Sequence, residues 1–286
     1  MPTLHAPSAP IIAVAVDPAG DPDLQQRARH LACELEIPQA DPRSPTAIEF
    51  LLVVTPQRLE LRVTGGDMTL RGGRPLYVDA LRRDITSHAG GRLDQPLLRA
   101  VGVRQRKQLD TDVPRIVDAT AGWGGDALML ASLGCSVLAV ERHRVIAELL
   151  RDGVNRASAA LGHRITIASH DASDLLQHLH AAGHDATTTL PAAWQTFVHP
   201  DVIYLDPMFP PRRGRAAESK SMRVLRRLAG SDEGGATLLT LAQRVGPPRI
   251  VVKRPLRAEA LGYTSPDATY RGKAMRYDVY FQAAAR

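Results

Sequence analysis

The chain has 286 residues, 44% of them hydrophobic, and is long enough to bury a full core, which excludes a protein that is disordered over most of its length. Its two cysteines, Cys33 and Cys135, are too few for a disulfide framework or a thiolate metal site. The formal charge of +6 suits a polyanionic partner and equally suits ordinary surface charge.

The first part of the chain is predicted to mix strands and helices. The predicted elements are strands at 11–16, 50–55 and 59–63, and helices at 23–36 and within 76–104, the last of these ending near Gly102. The second and third strands are separated by three residues, which predicts a hairpin. We expect residues 1–110 to form a small α+β domain that positions the substrate, followed by a polar linker.

The rest of the chain, residues 111–286, alternates strand and helix patterns. The predicted strands are RIVDATAG, which runs into a glycine turn, and SVLAVER, RITIAS, DVIYLDP, RIVVKRP and YDVYFQ; the predicted helices are GDALMLASLG, RVIAELLRDGVNRASAAL and DASDLLQHLHAAG. This order indicates a parallel sheet with right-handed crossovers, which is an α/β, Rossmann-like arrangement. Residues 183–200 are expected to form a surface loop.

A glycine-rich turn from Asp118 to Asp126 follows the first of these strands and opens a helix. Glycines at such a turn let a ligand approach free backbone N–H groups and the positive end of the helix. Gly122, Gly124 and Ala127 also satisfy the loose dinucleotide pattern G-x-G-x-x-A. The glycines alone therefore do not choose between a nicotinamide cofactor and S-adenosylmethionine.

Neighbouring acidic and polar residues favour S-adenosylmethionine. Asp118 lies inside the strand, where its carboxylate can accept from the ammonium of a methionine moiety but would repel a pyrophosphate. Glu141 ends the next strand, where an acid can accept from both ribose hydroxyls of either cofactor. After the third strand, Asp171 and Ser173 can either read an adenine amine or cap a helix, and both interpretations stay open.

The sequence VIYLDPMFPPRR places Asp206, Pro207 and Phe209 directly after the fourth strand, at the edge where open α/β sheets bind ligands. It resembles the motif of methyltransferases that modify planar amines, with Met208 in place of a second proline. The lone pair of such an amine is delocalised into its ring, so an enzyme must hold the amine through its N–H groups. The Asp206 carboxylate and the Pro207 carbonyl can accept from them, and Phe209 can stack on the base. For any single Asp-Pro pair, an ordinary turn is the alternative.

Basic residues follow this motif at once. Between residues 212 and 227 there are seven, namely Arg212, Arg213, Arg215, Lys220, Arg223, Arg226 and Arg227, against the single acid Glu218. This density predicts contacts with RNA phosphates, although a solvated helix face is the common alternative. We expect Lys253 and Arg254, within RIVVKRP, to extend the same basic surface.

Taken together, VDATAGWGGDALMLASLGCSV, VIYLDPMFPPRR, KSMRVLRRLAG and VVKRP are similar to the RsmJ family of small-subunit ribosomal RNA guanine-N2 methyltransferases. The resemblance covers most of 112–282 and extends weakly into the N-terminal part. It implies a class I methyltransferase sheet and transfer of methyl from S-adenosylmethionine to N2 of a guanine in 16S rRNA, guanine 1516 in the family's reference numbering. It also implies S-adenosylhomocysteine as product and small-subunit rRNA or a 30S particle as partner. The family's cofactor contacts fall on Gly125, Asp126, Glu141, Arg142, Ser173, Asp174 and Asp206, although the family has Arg at the position of Gly125 and Ser at that of Asp174.

Two other functions stay open from the sequence. A nicotinamide-dependent oxidoreductase could use the same glycine turn, and a non-catalytic RNA-binding protein could retain a degenerate methyltransferase fold. The proposed chemistry needs no metal. No apolar stretch approaches the roughly 18 residues of a membrane span and no secretory leader is recognisable, so we expect a cytoplasmic protein with no membrane partner.

Overall fold

A computed structural model describes residues 11–43, 48–66, 68–71, 73–80, 95–103, 114–161, 163–208, 218–230 and 234–282. The strands are β1 (Ile12–Val16), β2 (Phe50–Val54), β3 (Leu59–Val63), β4 (Arg115–Asp118), β5 (Ser136–Glu141), β6 (Ile165–Ser169), β7 (Val202–Leu205), β8 (Arg249–Pro255), β9 (Ala268–Arg271) and β10 (Met275–Phe281). The helices are α1 (Pro22–Leu35), α2 (Pro96–Val101), α3 (Gly125–Ser132), α4 (Arg144–Arg156), α5 (Ser158–Leu161), α6 (Ala172–His184), α7 (Ala192–Gln195), α8 (Lys220–Ala229) and α9 (Gly235–Val245), with a 3₁₀ turn at Leu261–Tyr263.

The N-terminal part forms a small sheet in the order β1-β2-β3. β1 lies parallel to β2, and β2 pairs antiparallel with β3, which confirms the predicted hairpin. The predicted helix before residue 104 is also present as α2, and it ends at Gly102 with a φ of +82°. A left-handed residue after the last helical turn is the usual reason for glycine at this position.

The second sheet has seven strands in the order β6-β5-β4-β7-β8-β10-β9. The first five of these are parallel, while β10 runs antiparallel to both of its neighbours. The α/β, Rossmann-like sheet predicted from the sequence is therefore confirmed. The chain leaves β4 toward β5 on one side and later returns to β7 on the other, which creates the kind of crevice at the strands' carboxyl ends where open α/β sheets bind ligands.

The two sheets share one hydrophobic core. Leu52 of the small sheet, Val137 of the large sheet and Leu149 of α4 belong to the same buried cluster. α4 approaches the N-terminal part closely, since a Cβ on Gly153 would lie 2.5 Å from Cγ1 of Val78. The expected boundary near residue 110 lies outside the described residues, and the division into domains 1–110 and 111–286 stays a proposal.

Some predicted elements differ from the structure. The loop expected at 183–200 contains the helix α7, and Phe197 in it is buried. Its aromatic residues explain the difference, because Phe197 and Trp194 pack into the second core cluster. The helix α9 and the strand β9 were not predicted from the sequence. No helix in the described part of the chain has the length and apolar content needed to cross a membrane.

Candidate active site

A cleft of about 1480 Å³ opens at the carboxyl ends of β4, β5 and β7. Most residues that the sequence assigns to the cofactor line it, namely Asp118, Gly122, Gly125, Asp126, Glu141, Arg142, Asp171, Ser173 and Asp206. Gly124 and Asp174 are absent from this lining. The N-terminal part contributes residues 76–79, and α8 contributes a further wall. Both parts of the chain therefore build the cleft.

The glycine turn brings the beginning of α3 to the cleft. Gly122 and Gly124 have φ values of +52° and +75°, a region that side chains with a Cβ rarely adopt. A Cβ on Gly124 would lie 2.4 Å from Cδ1 of Leu150, so a larger residue there would force this side chain of α4 to move. Trp123 donates from its indole Nε1 to the carbonyl of Ser221 at 3.0 Å, which ties the turn to α8.

Glu141 is held by the backbone of the same turn. Its Oε2 accepts from the N–H of Gly122 at 3.0 Å, and its Oε1 accepts from the N–H of His143 at 2.7 Å. The residue is 6% exposed. Glu141 also lines the cleft, where a carboxylate can accept from hydroxyl groups. This arrangement fits the predicted role of Glu141 toward the two hydroxyls of a ribose.

Asp118 is a buried acid at the floor of the cleft. Its Oδ1 accepts from the N–H of Thr120 at 3.1 Å. Burial raises the pKa of Asp118 well above its usual range, and the carboxylates of Asp126 and Asp206 raise it further. Burial and nearby negative charges disfavour the ionised form of this carboxyl group, and a cationic ligand stabilises it. Its chemistry therefore fits the ammonium group of a methionine moiety.

Asp171 is the N-cap of α6. Its Oδ1 accepts from the N–H groups of Ser173 and Asp174 at 2.7 and 3.3 Å. The capping interpretation is thus confirmed. Asp171 and Ser173 also line the cleft, so their contact with the cofactor stays a prediction, as does that of Asp174.

Asp206 belongs to a network that sequence analysis missed. Lys253 Nζ lies 2.9 Å from Asp206 Oδ2 and 2.8 Å from Asp126 Oδ2, so that it joins the two carboxylates. The hydroxyl of Tyr204 donates to Asp126 at 2.6 Å, and the N–H of Asp206 donates to Thr120 Oγ1 at 2.6 Å. Lys253 thus holds Oδ2 of Asp206, and no group in the described part of the chain hydrogen-bonds Oδ1 of this cleft-lining residue.

The charged groups of this network shift one another's pKa values. Burial raises the pKa of Asp206 to about 6, although Lys253 counteracts the rise. For Lys253, burial disfavours the ammonium, but the attraction of Asp206 and Asp126 is stronger and the pKa is raised. At neutral pH, Lys253 is therefore charged and Asp206 is mostly ionised.

Lys253 and Arg254 of RIVVKRP both line the cleft, and their contact with RNA stays a prediction. Lys253 lies in the cleft, and Arg254 is 9% exposed and donates from Nε to the carbonyl of Glu259 at 2.9 Å. The cause is their position at the carboxyl end of β8, a strand paired on both sides.

The helix α8 carries the described part of the basic run. Lys220 Nζ donates to the carbonyl of Arg74 at 3.4 Å, and the guanidinium of Arg223 donates to Thr69. Both residues thus join α8 to the N-terminal part, and their contact with RNA stays a prediction. Phe209, Arg212, Arg213 and Arg215 lie outside the described residues.

Comparison with known proteins agrees with this site. Residues 37–282 match the model of a SAM-dependent methyltransferase family. Ribosomal RNA small subunit methyltransferase J of Coxiella burnetii is 41% identical over 256 residues, covering 88% of this chain and 91% of that protein. The chain belongs to the methyltransferase J family. Methyltransferase J of Thioalkalivibrio sulfidiphilus is 38% identical, covering 90% of this chain and 94% of its own length. The crystal structure of a SAM-dependent methyltransferase from Neisseria gonorrhoeae covers 96% of this chain and 97% of its own, with 28% identity and a TM-score of 0.62.

Membership of the methyltransferase J family makes this chain a class I, S-adenosylmethionine-dependent methyltransferase. The residues of the cleft fit that cofactor, since a glycine cradle, a buried acid and an acid for the ribose converge there. The comparisons do not favour a nicotinamide-dependent oxidoreductase. Among the described residues, no group of three or more His, Cys, Asp or Glu side chains could hold a metal ion.

Proposed function

We propose that this methyltransferase transfers a methyl group from S-adenosylmethionine to the exocyclic N2 of a guanine in 16S rRNA, guanine 1516 in the family's reference numbering. The observation that carries the proposal is the Asp206 carboxylate, which lines the cofactor cleft and is held there by Lys253 through Oδ2. The relatives' name, ribosomal RNA small subunit methyltransferase, supports the class of RNA.

The chain's own residues would hold and deprotonate the amine. S-adenosylmethionine, when bound, supplies an electrophilic methyl group on its sulfonium. Oδ1 of Asp206 and the carbonyl of Pro207 accept from the two N–H groups of the amine and so orient its nitrogen. A nitrogen that gains a methyl group must lose one proton, and Asp206 is the base within reach of it. With a pKa of about 6, its carboxylate can take that proton and release it to water at neutral pH.

The guanine must leave its stack to reach Asp206, as in other enzymes that modify bases. The contribution of residues 76–79 to the cleft wall supports a role of the N-terminal domain, residues 1–110, in positioning the RNA. Lys220 and Arg223 lie beside this wall on α8 and are proposed to face the RNA backbone, together with the arginines at 212, 213 and 215.

The test is transfer of tritium from labelled S-adenosylmethionine into 16S rRNA or 30S subunits from a strain that lacks this enzyme, with mapping of the methylated position. Asp206→Ala should lose transfer while circular dichroism shows an intact fold, and Asp23→Ala, which replaces an exposed acid on α1, should keep full activity. Undiminished transfer by Asp206→Ala would contradict the proposed role. Thermal stabilisation by NAD(P) and none by S-adenosylhomocysteine would contradict the cofactor.

A further inference from the structure

The loop that follows β8 forms part of the cleft rim. Residues 256–264, which we call the rim loop, begin directly after Pro255, and Arg257 and Glu259 in it line the cleft. Arg276 of β10 supports its first half from beneath. One nitrogen of this residue, Nη1, donates to the carbonyls of Leu256 at 2.9 Å and Ala258 at 2.7 Å.

Two further arginine contacts make this support rigid. Arg276 is itself paired with Asp278, an acid 1% exposed, with Nε and Oδ1 2.9 Å apart. Arg254 donates to the carbonyl of Glu259 from the other side. Arg276 and Arg254 thus donate to three backbone carbonyls of the rim loop, those of Leu256, Ala258 and Glu259, and so hold its backbone in place.

The second half of the rim loop is held in the same way. Leu261 is buried against the second core cluster, and the hydroxyl of Tyr280 donates to the carbonyl of Thr264 at 3.1 Å. Between them, Tyr263 is 89% exposed and has a φ of +57°. A bulky residue rarely adopts this conformation, and local strain of this kind is often associated with function.

The rim loop presents a cation and an aromatic ring to solvent. Arg257 is exposed, and no hydrogen bond or ion pair holds its guanidinium within the described part of the chain. Lys273 is exposed on the neighbouring β9–β10 turn, which the pairing of Met275 with Pro255 brings beside the rim loop. The scaffold therefore displays Arg257 at the cleft that contains Asp206, and it displays Tyr263 on the same loop beyond the cleft lining.

We propose that the rim loop is a docking surface for the RNA strand next to the target guanine, an inference that rests on the proposed function. Arg257 pairs with a backbone phosphate, and Tyr263 stacks on an unpaired base that flanks the target. A loop with a supported backbone suits this task, because its backbone loses little conformational freedom when the exposed ring and the guanidinium bind a single strand. Lys253 pairs with Asp206 in the cleft, and Arg254 donates to the carbonyl of Glu259 in the rim loop.

The experiment measures affinity for 16S rRNA transcribed in vitro, which carries no modification, over a range of salt concentrations. Arg257→Gln should weaken binding and lower the slope of log K against log salt by about 0.7, as for one phosphate contact with a single strand. Tyr263→Asn should weaken binding by about tenfold without changing the slope. Asn is chosen because it tolerates a positive φ. Arg164→Gln makes the same change of charge before the amino end of β6, at the opposite edge of the sheet, and should leave binding unchanged.

The outcomes separate this inference from the proposed function. Affinity for S-adenosylhomocysteine and kcat at saturating RNA should match the wild type in all three variants. Wild-type RNA affinity in both rim-loop variants, with methyl transfer intact, would overturn the docking surface alone. A loss of binding to 30S subunits but not to naked rRNA would also overturn it, because the loop would then contact a ribosomal protein. No transfer by the wild-type chain would overturn the proposed function, and the docking surface with it.

Discussion

Replacing Lys253 by Met tests whether the charge network sets the protonation state of Asp206. The substitution keeps most of the side chain's length and removes the ammonium that lies 2.9 Å from Asp206 and 2.8 Å from Asp126. Two carboxylates then face each other across the position of Lys253 without a cation between them. We expect Asp206 to hold its proton to a higher pH, because the counteracting effect of Lys253 on its pKa is lost.

The size of the effect follows from distance and exposure. Two unit charges about 3 Å apart interact by roughly 5 kcal/mol at an effective dielectric constant of about 20. The side chains of Asp126 and Asp206 are 21% and 31% exposed, so water enters and screens part of this energy. We expect roughly 1.5 to 3 kcal/mol to remain, which corresponds to a shift of about one to two pH units.

The assay is kcat/KM for RNA at saturating S-adenosylmethionine, measured from about pH 5 to about pH 9. In the wild type, the rate should rise through the pKa of Asp206, about 6, because only the carboxylate can accept from the amine. In Lys253→Met this rise should move upward, so that the rate at neutral pH falls by about two- to tenfold and recovers in alkali. Lys253→Arg, which keeps the charge, should retain the wild-type profile. A Lys253→Met profile that is lower at every pH but not shifted would refute the reasoning.

Three further perturbations follow from the same contacts. The affinity for S-adenosylmethionine, measured by calorimetry, should rise with pH. Burial holds the pKa of Asp118 well above its usual range, and the cationic ligand needs the ionised carboxylate. Asp118→Asn should lose this pH dependence. Gly124→Ala should lower the free energy of unfolding in urea by about 2 kcal/mol, because its Cβ would lie 2.4 Å from a leucine methyl. Gly20→Ala is the control, since a Cβ at that position meets nothing within 4 Å. Equal stability of the two variants would contradict the packing argument. Arg227→Leu should lower the free energy of unfolding by about 3 kcal/mol, because it removes the guanidinium that lies 2.8 Å from the buried carboxylate of Glu49. Unchanged stability in urea would show that this ion pair does not join the two parts of the chain.

The architecture and the location of the cleft could be predicted because they depend on local patterns. Apolar runs of strand length alternate with amphipathic helices after residue 115, and this alternation alone implies a parallel sheet. The positive φ values of Gly122 and Gly124 explain why glycine occurs at those positions, so the turn was visible in the sequence. The acids at the ends of β4, β5 and β7 then converge because parallel strands end at one edge.

The partnership of Lys253 and Asp206 could not be predicted, because it depends on the order of strands. Leu205 of β7 lies opposite Val252 of β8, which puts the next residue of each strand side by side. A sequence that predicts both strands does not say that they are neighbours or fix their register. The same limit applies to Arg254 and Arg257, since only the bend after β8 determines which of the two is buried and which is exposed.

The position of β10 also bears on when the enzyme can become active during its own synthesis. β10 lies between β8 and β9 and pairs with both, although it follows both along the chain. While a ribosome is still translating β10, β9 has no strand to pair with among those described, and Arg276 is not yet available beneath residues 256–258. The nascent chain can therefore fold its N-terminal sheet and its glycine turn first. The rim loop gains this support only after β10 is made, so a nascent chain without β10 would lack the supported surface that we propose for RNA docking.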